Sequence, residues 1–428
     1  MEKTKILIVC PLPQNKDTVS RSFESLFHFW DKNTIATIFS DSRDPVKGNC
    51  QYLFQITDKR LIAARIFQKA DVGRQFVYDD LPESWLDSQK NSGFHPRKKT
   101  SLLFLLRKLI WKKKYWDTEK LELWVRSFKP DVLLVAFSYD FYEFDIAEHF
   151  SREFKIPIIV TIYDDYFFND HFSLSPFYWI YRSIYTSRVK KFMSKNVFCV
   201  FVSEKIKNLY STKFPNKGIV VHIGSSNIGS INLGKPLKQI NSIRYFGNLE
   251  AGRFKSICEI GKVLLKLGSR LTIDVFSSDS KAMIHDEKPS NVMLNEPLAY
   301  NEMLKLMCDT DLLVAVEGFS KKSVKAVKYS LSTKTGDLLA SGKPILVYGS
   351  EETGLLSFFI ENKCGIIATS KEELFQKVRD LLSGNIDLTK ILATEQDVAD
   401  KLFSTEKQAK LFEDFVKDIL KAANKTGI

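Results

Sequence analysis

Ser332-Thr333-Lys334-Thr335-Gly336-Asp337-Leu338-Leu339-Ala340-Ser341-Gly342-Lys343-Pro344 runs directly into Ile345-Leu346-Val347-Tyr348. The spacing predicts a polar loop, a short helix, a glycine stop and a buried strand. Ser332 or Thr333 is placed to cap the helix by accepting from its first amides. Leu338, Leu339 and Ala340 face inward, Gly342 supplies a left-handed stop, and Pro344 prevents continuation. The loop amides, with Lys334 beside them, form an anion site. Asp337, in the first turn, is placed to accept from a hydroxyl next to a bound phosphate. The plainer alternative is that Asp337 only complements the helix dipole and that Lys334 is solvated.

Outward from this stretch, strands alternate with helices. Apolar runs at 242–246, 271–276, 291–294, 311–316, 344–348 and 365–368 read as buried strands, separated by helical stretches such as 256–267 and 300–307. Before them, 224–239 is rich in Gly, Ser and Asn, carries Pro236, and reads as a linker. The preceding half repeats the alternation, with strands at 5–10, 35–39, 132–137, 157–163, 197–202 and 219–223. A polar loop at 14–18 leads to a helix with Phe23, Leu26, Phe27 and Trp30 on its apolar face, and 143–154 reads as another helix. Ser203-Glu204 reads as a helix cap. Between 41 and 99, Pro45, Pro82 and Pro96 break the pattern, and only a helix near 60–69 is expected. The end, 405–422, is amphipathic, with Ala409, Leu411, Phe412, Phe415, Val416, Ile419 and Leu420 inward. Such alternation argues for parallel sheets. The expectation is α/β, two Rossmann-like domains at 1–223 and 240–404, and a C-terminal helix at 405–428.

Bulk properties narrow the partners. The chain has 428 residues, 44% hydrophobic and 27% charged, as in ordinary water-soluble proteins, with a net charge of +12. That charge favours an acidic partner: anionic lipid, nucleic acid or a phosphorylated substrate. The six cysteines form no Cys-x-x-Cys, and neither they nor the six histidines show metal-ligand spacing. Each histidine reads as structural. A reduced, cytoplasmic compartment is expected. The apolar part of 1–10 is too short for a signal peptide, being stopped by Pro11 and Pro13, and no run reaches the length of a membrane span.

Between 98 and 128, Leu102, Leu103, Phe104, Leu105, Leu106, Leu109, Ile110, Trp111, Tyr115 and Trp116 interleave with Arg107, Lys108, Lys112, Lys113 and Lys114. This pattern favours a helix lying in a membrane interface over a core helix with a solvated basic face. The run Phe177-Tyr178-Trp179-Ile180-Tyr181, with Arg182, Arg188, Lys190 and Lys191, is a second candidate surface, facing membrane or acceptor.

The organising stretch resembles the donor-binding segment of glycosyltransferases with the GT-B fold, in particular the group 1 type of bacterial surface-polysaccharide synthesis. An acid there precedes Ala-x-Gly-x-Pro and a hydrophobic strand. Here the match runs through Ser332, Lys334, Asp337, Ala340, Ser341, Gly342, Lys343, Pro344, Ile345 and Leu346. The resemblance implies two Rossmann-like domains facing across a cleft and a nucleotide-diphosphate sugar as co-substrate, with no further cofactor. It assigns the ribose to Asp337, where relatives usually carry Glu, and the phosphates to the loop Ser332, Thr333, Lys334 and Thr335. Many relatives also carry Glu eight residues earlier, where this chain has Tyr329; Glu317 is the substitute. In the loop Gly247-Asn248-Leu249-Glu250-Ala251-Gly252-Arg253-Phe254-Lys255, the glycines let backbone approach a ligand, and Gly247 and Asn248 are candidate donor contacts. Arg253 and Lys255 match the diphosphate-binding cations by placement, and would stabilise the leaving diphosphate without metal.

Asp164-Asp165 ends a strand in the first half, where open α/β sheets place ligands. Many relatives carry a His near this point, and this chain has Tyr163 and Asp164. Both acids are candidates for a base facing an acceptor, and equally for acids that cap the next segment. A metal-binding pair is the less favoured reading, since the donor-like motifs lie in the other half. Gly342-Lys343-Pro344 lacks the Ser or Thr of a phosphate loop, and no Gly-x-Gly-x-x-Gly is present.

The expected activity is metal-independent transfer of a sugar to a lipid-linked glycan acceptor, at the inner face of an anionic membrane, with no nucleic acid. A nucleotide-sugar epimerase of the same fold, and a non-catalytic membrane- or nucleic-acid-binding protein, are the rivals.

Overall fold

The computed structural model describes residues 4–12, 19–67, 71–81, 100–170, 172–225, 240–279 and 288–426. The expected polar loop at 14–18 and most of the expected linker lie outside them. The chain divides into two units, Met1–Val221 with Ala409–Ile428, and His222–Gln408.

The first unit is built on an eight-stranded sheet in the order β4-β3-β2-β1-β5-β6-β7-β8. The strands are β1 Ile6–Cys10, β2 Ile35–Phe39, β3 Tyr52–Gln55, β4 Arg74–Val77, β5 Val132–Ala136, β6 Ile158–Ile162, β7 Val197–Phe201 and β8 Gly218–Val220. All neighbours are parallel except β3 and β4, where Tyr52 faces Val77 in an antiparallel pair. β1, β2 and β6 are buried at every residue. That is why they read as unbroken apolar runs, since helices cover both faces of such a sheet. The order reverses between β1 and β5.

Phe23, Leu26 and Phe27 enter the core of this unit as expected. So do Phe412, Val416 and Ile419 of the helix Thr405–Thr426, whereas Leu411 on the same helix is 42% exposed. Phe412 packs edge-on against Phe27, with ring centroids 5.6 Å apart. The last helix is therefore part of the first unit's core from Ala409 onward rather than a separate element. Ser203 caps its helix as read, accepting from Ile206 N at 3.3 Å.

The second unit holds a six-stranded, all-parallel sheet in the order β11-β10-β9-β12-β13-β14. Its strands are β9 Ile243–Phe246, β10 Ile273–Phe276, β11 Val292–Asn295, β12 Leu312–Val316, β13 Ile345–Tyr348 and β14 Ile366–Ala368. Numbered within the unit this is 3-2-1-4-5-6, the order of doubly wound nucleotide-binding sheets. All six were expected, within two residues at each end. The organising stretch forms the helix Thr335–Ala340 and then β13. Gly342 takes φ +67°, the left-handed stop that was read. Gly336 has a different task, because a Cβ there would meet the Phe403 ring and Ile223 O at about 3 Å.

The stretch 98–128 is three helices, Ser101–Ile110, Lys113–Trp116 and Glu119–Phe128. Trp111 and Trp116 are buried, so the expectation of interfacial aromatics fails for these two. The leucines of the first helix remain outside. All six cysteines are free thiols, and five are buried. Burial pushes the Cys50, Cys199 and Cys364 thiols up to about 12, which suits apolar packing rather than nucleophilic work. No helix among the described residues is long and apolar enough to cross a membrane.

Candidate functional site

Doubly wound sheets bind ligands beyond the carboxyl ends of their strands, where the order reverses. In the second unit that point lies between β9 and β12. The loop after β9 is tightly built. Gly247 N donates to Phe276 O at 3.1 Å, Tyr245 Oη to Asn248 O at 2.6 Å, and Leu249 N to Asp279 Oδ2 at 2.8 Å. Ala251 and Gly252 both take positive φ, which turns the chain sharply into the helix Arg253–Lys266. Across from it, a Cβ on Gly318 would collide with Ala251 O. Two loops thus touch through backbone alone.

Arg253, the first residue of that helix, is held from two sides. Its guanidinium donates to Glu317 Oε1 at 2.8 Å and to Asn248 Oδ1. The Glu317 side chain is only 3% exposed, and its Oε2 is buried with no hydrogen-bond partner. Burial pushes the Glu317 carboxyl up from its ordinary value, against the pull of Arg253. Glu317 therefore sits in the site as the anchor of the expected phosphate-binding arginine.

The first two amides of this helix are occupied. Arg253 N donates to Glu250 O and Phe254 N to Leu249 O, each at 3.2 Å. Positive charge at this edge comes from side chains. Lys255 is exposed and borders a cleft of about 490 Å³, with Phe319, Tyr348, Ser320, Ser323 and Thr369 among its walls. A larger cavity of about 660 Å³ opens near Asn241, Leu271 and Asp387, at the amino ends of the strands. The strand-end rule makes the smaller one the functional candidate.

The stretch 332–337 is more closed than expected. Ser332 does not cap the helix. Its Oγ accepts from Lys334 N at 3.3 Å and its carbonyl from Thr335 N at 3.0 Å, so these two amides are taken. Lys334 is the residue before the helix, without a side-chain cap. Thr333 is exposed and Thr335 fully buried, with its Oγ1 unpartnered. Asp337 is 1% exposed and accepts from Tyr300 Oη at 3.0 Å. Tyr300 carried no sequence signal, because the contact joins residues 37 apart on different helices.

In the first unit, Asp164 and Asp165 follow β6 and have different surroundings. Asp165 Oδ1 accepts from Phe168 N at 2.8 Å and from Tyr210 Oη at 3.2 Å. Burial raises its carboxyl, and those two bonds oppose the rise. That is a turn-holding acid. Asp164 is exposed beside the Tyr166 phenol.

Glu143, not singled out by the sequence, opens the helix Tyr142–Phe154 after β5. It is fully buried, takes Ser138 Oγ at 2.8 Å on one oxygen, and leaves the other unpartnered. Burial, then Asp140, push its carboxyl up to about 8.

Away from both strand edges, His149 Nε2 lies 2.6 Å from Glu122, 3.4 Å from Asp117 and 3.5 Å from Glu153. Asp117, Glu122 and His149 could hold a metal ion by distance. Arg126 already pairs with Glu153 and lies 3.8 Å from Glu122. The residues come from separate segments, so their spacing was silent.

Comparison with known proteins bears on these geometries. The glycosyl transferase-like family model matches residues 262–414. A search of the curated proteins finds no significant sequence match. Among solved structures, sucrose-phosphate synthase from Thermosynechococcus elongatus superposes with a TM-score of 0.61 at 9% identity, covering 98% of this chain and 100% of that one. Anabaena HepE, solved with UDP, gives 0.58 at 11% identity, covering 97% and 100%. WaaG, a glycosyltransferase involved in lipopolysaccharide biosynthesis, gives 0.57 at 12% identity, covering 95% and 99%. At such identities the likeness speaks for the fold. Residues 262–414 thus match a glycosyl transferase-like domain, and the two-sheet architecture of the chain is the GT-B fold of these structures.

Proposed function

We propose that the second unit binds a nucleotide-diphosphate sugar and that the protein transfers its sugar to a lipid-linked glycan held by the first unit. The observation that carries this reading is Arg253, fixed at the strand-order reversal of the second sheet with Lys255 beside it. Two cations there suit a diphosphate and the charge that develops on it as the glycosidic bond breaks. The UDP in HepE, which was also solved with UDP-glucose, supports a nucleotide sugar as the donor class. WaaG's involvement in lipopolysaccharide biosynthesis supports a lipid-linked glycan as the acceptor class.

Catalysis in this reading uses protein cations instead of a metal. Asp164, exposed at the carboxyl edge of the first sheet beside the Tyr166 phenol, is the acid this reading assigns to an acceptor hydroxyl, while Asp165 holds its turn. Thermal shift with a panel of nucleotide sugars tests the donor, since binding raises stability by mass action. The reading expects stabilisation by a nucleotide sugar in the presence of chelator. No shift with any of them, or a shift that requires Mg²⁺ or Mn²⁺, would overturn it. Incubation with donor alone separates the epimerase, which would alter the sugar without an acceptor.

A further inference from the structure

Two helices of the first unit turn apolar faces to solvent. On Ser101–Ile110, Leu102, Leu103, Leu106 and Leu109 are 41–49% exposed. Leading into and opening Pro176–Met193, Phe172 and Leu174 are 82% and 90% exposed, and Phe177, Trp179 and Ile180 are 42–50% exposed. The helices pack on each other through Phe104 and Tyr181, whose ring centroids lie 5.2 Å apart. Their inward residues recur at helical spacing, Phe104, Arg107 and Trp111 on one and Tyr178, Tyr181 and Tyr185 on the other. The exposed side chains are the opposite faces of well-seated helices, not frayed core. Singly exposed apolar residues need no explanation, but a cluster of this size does.

Charge indicates what covers this face. Lys108, Lys112, Lys113 and Lys114 are exposed along its border. Neither 100–116 nor 172–193 contains an Asp or Glu. A second copy of the face would set these cations against one another. An anionic bilayer meets both features, with leucine and aromatic rings below the headgroups and lysines among them. The Trp179 indole N–H is already satisfied by Ser173 O at 2.7 Å.

Both helices are tied to the carboxyl edge of the first sheet. Arg107 donates to Ser40 Oγ at 3.1 Å after β2, to Asp58 at 2.9 Å after β3, and to Asp140 after β5. Tyr185 Oη donates to Ser138 O at 2.7 Å and Tyr181 Oη to Tyr139 O, both in the loop after β5. Arg182 donates to Tyr166 O at 2.7 Å and to Phe167 O, after β6. The exposed face is thus mounted on the loops where this sheet would take a ligand.

We infer that the joined outer faces of Ser101–Ile110 and Pro176–Met193, bordered by Lys108 and Lys112 to Lys114, seat the first unit on an anionic lipid bilayer. Resting on the lipid-linked reading above, this keeps the lipid of an acceptor in the bilayer while its head reaches the loops after β5 and β6.

Co-sedimentation of the full chain with phosphatidylcholine vesicles, with and without phosphatidylglycerol, tests it. No donor or acceptor is needed, so failure of the transfer reading leaves this result untouched. The wild type is expected to bind the anionic vesicles in a salt-sensitive way. Replacing Leu106, Leu109, Phe177 and Ile180 together by Ser, all exposed, is expected to lower partitioning by at least roughly tenfold, with the melting temperature retained. Lys112, Lys113 and Lys114 together to Gln should lower it on anionic vesicles only. Wild type that ignores anionic vesicles overturns the inference, as does a serine variant that binds like wild type. So does a protein that self-associates through this face instead, read as dimers that the serine variant loses.

Discussion

Arg253 donates to one carboxylate oxygen of Glu317 at 2.8 Å, and the other oxygen of Glu317 is buried without a partner. The pair is therefore poised rather than complete. Arg253→Ala strands a buried acid, and breaking such a pair costs roughly 3 kcal/mol of stability. Adding Glu317→Gln should recover most of it. Nucleotide-diphosphate affinity should stay low in the double variant, with a loss of roughly 1.5–3 kcal/mol that a nucleoside does not share. Lys255→Ala should reproduce the binding loss with unchanged melting. Calorimetry with nucleoside and diphosphate decides, and equal losses for both would remove the phosphate role.

Asp337 is satisfied by Tyr300 and hidden from solvent, so its two possible roles can be pulled apart. If it takes the ribose, Asp337→Asn lowers donor affinity about tenfold to a hundredfold with little change in melting. Tyr300→Phe then costs about 1 kcal/mol of stability and leaves donor affinity at or above wild type, because the competing donor is gone. Wild-type affinity in folded Asp337→Asn would return the acid to a structural role.

The two acids after β6 should respond differently. Asp165→Ala loses the bonds from Phe168 N and Tyr210 and should destabilise by about 1–2 kcal/mol. Asp164→Asn should leave the melting temperature alone and lower kcat by roughly 10²–10⁴ if it is the base. Undiminished kcat in Asp164→Asn would take the base elsewhere.

Glu143 gives the fold a pH dependence of a definite sign. Its folded value, about 8, lies above the ordinary 4.5. Stability from such a carboxyl is fully present below the unfolded value and is lost as pH rises toward the folded one. Wild type should therefore lose stability relative to Glu143→Gln between pH 4.5 and 8. Each pH unit across that window is worth at most about 1.4 kcal/mol. Parallel melting curves for the two proteins would mean that the buried acid is already neutralised by other contacts.

What the sequence disclosed follows from local physics. The strands of the second sheet were legible because parallel strands buried on both faces are unbroken apolar runs. β3 and β4 were not. β3 ends in Gln55, whose amide donates to Asp41 O and Arg43 O, so a polar residue closes the run. β4 is a four-residue edge strand, only half buried. The helix ends at Lys129 and Lys155 were also silent, since lysine takes the left-handed turn usually marked by glycine. In the site, Arg253 and Asp337 were found from their local motifs. Their partners Glu317 and Tyr300 lie 64 and 37 residues away, and only the folded sheet brings them into contact. The basic stretch was read as one surface, and the fold divided it, with tryptophans inward and leucines outward.

The helix Thr405–Thr426 has a consequence for the order in which the protein matures. A chain leaving the ribosome exposes Phe27, Trp30 and Phe198 long before Phe412 and Phe415 exist to cover them. The second unit, contiguous from His222 to Gln408, has all its strands by then. The usual sequence, in which the amino-terminal domain is finished first, is therefore inverted. The inserted unit can mature while its host waits open, and a chain stopped just before Ala409 would leave Phe27 and Phe198 without the rings that cover them.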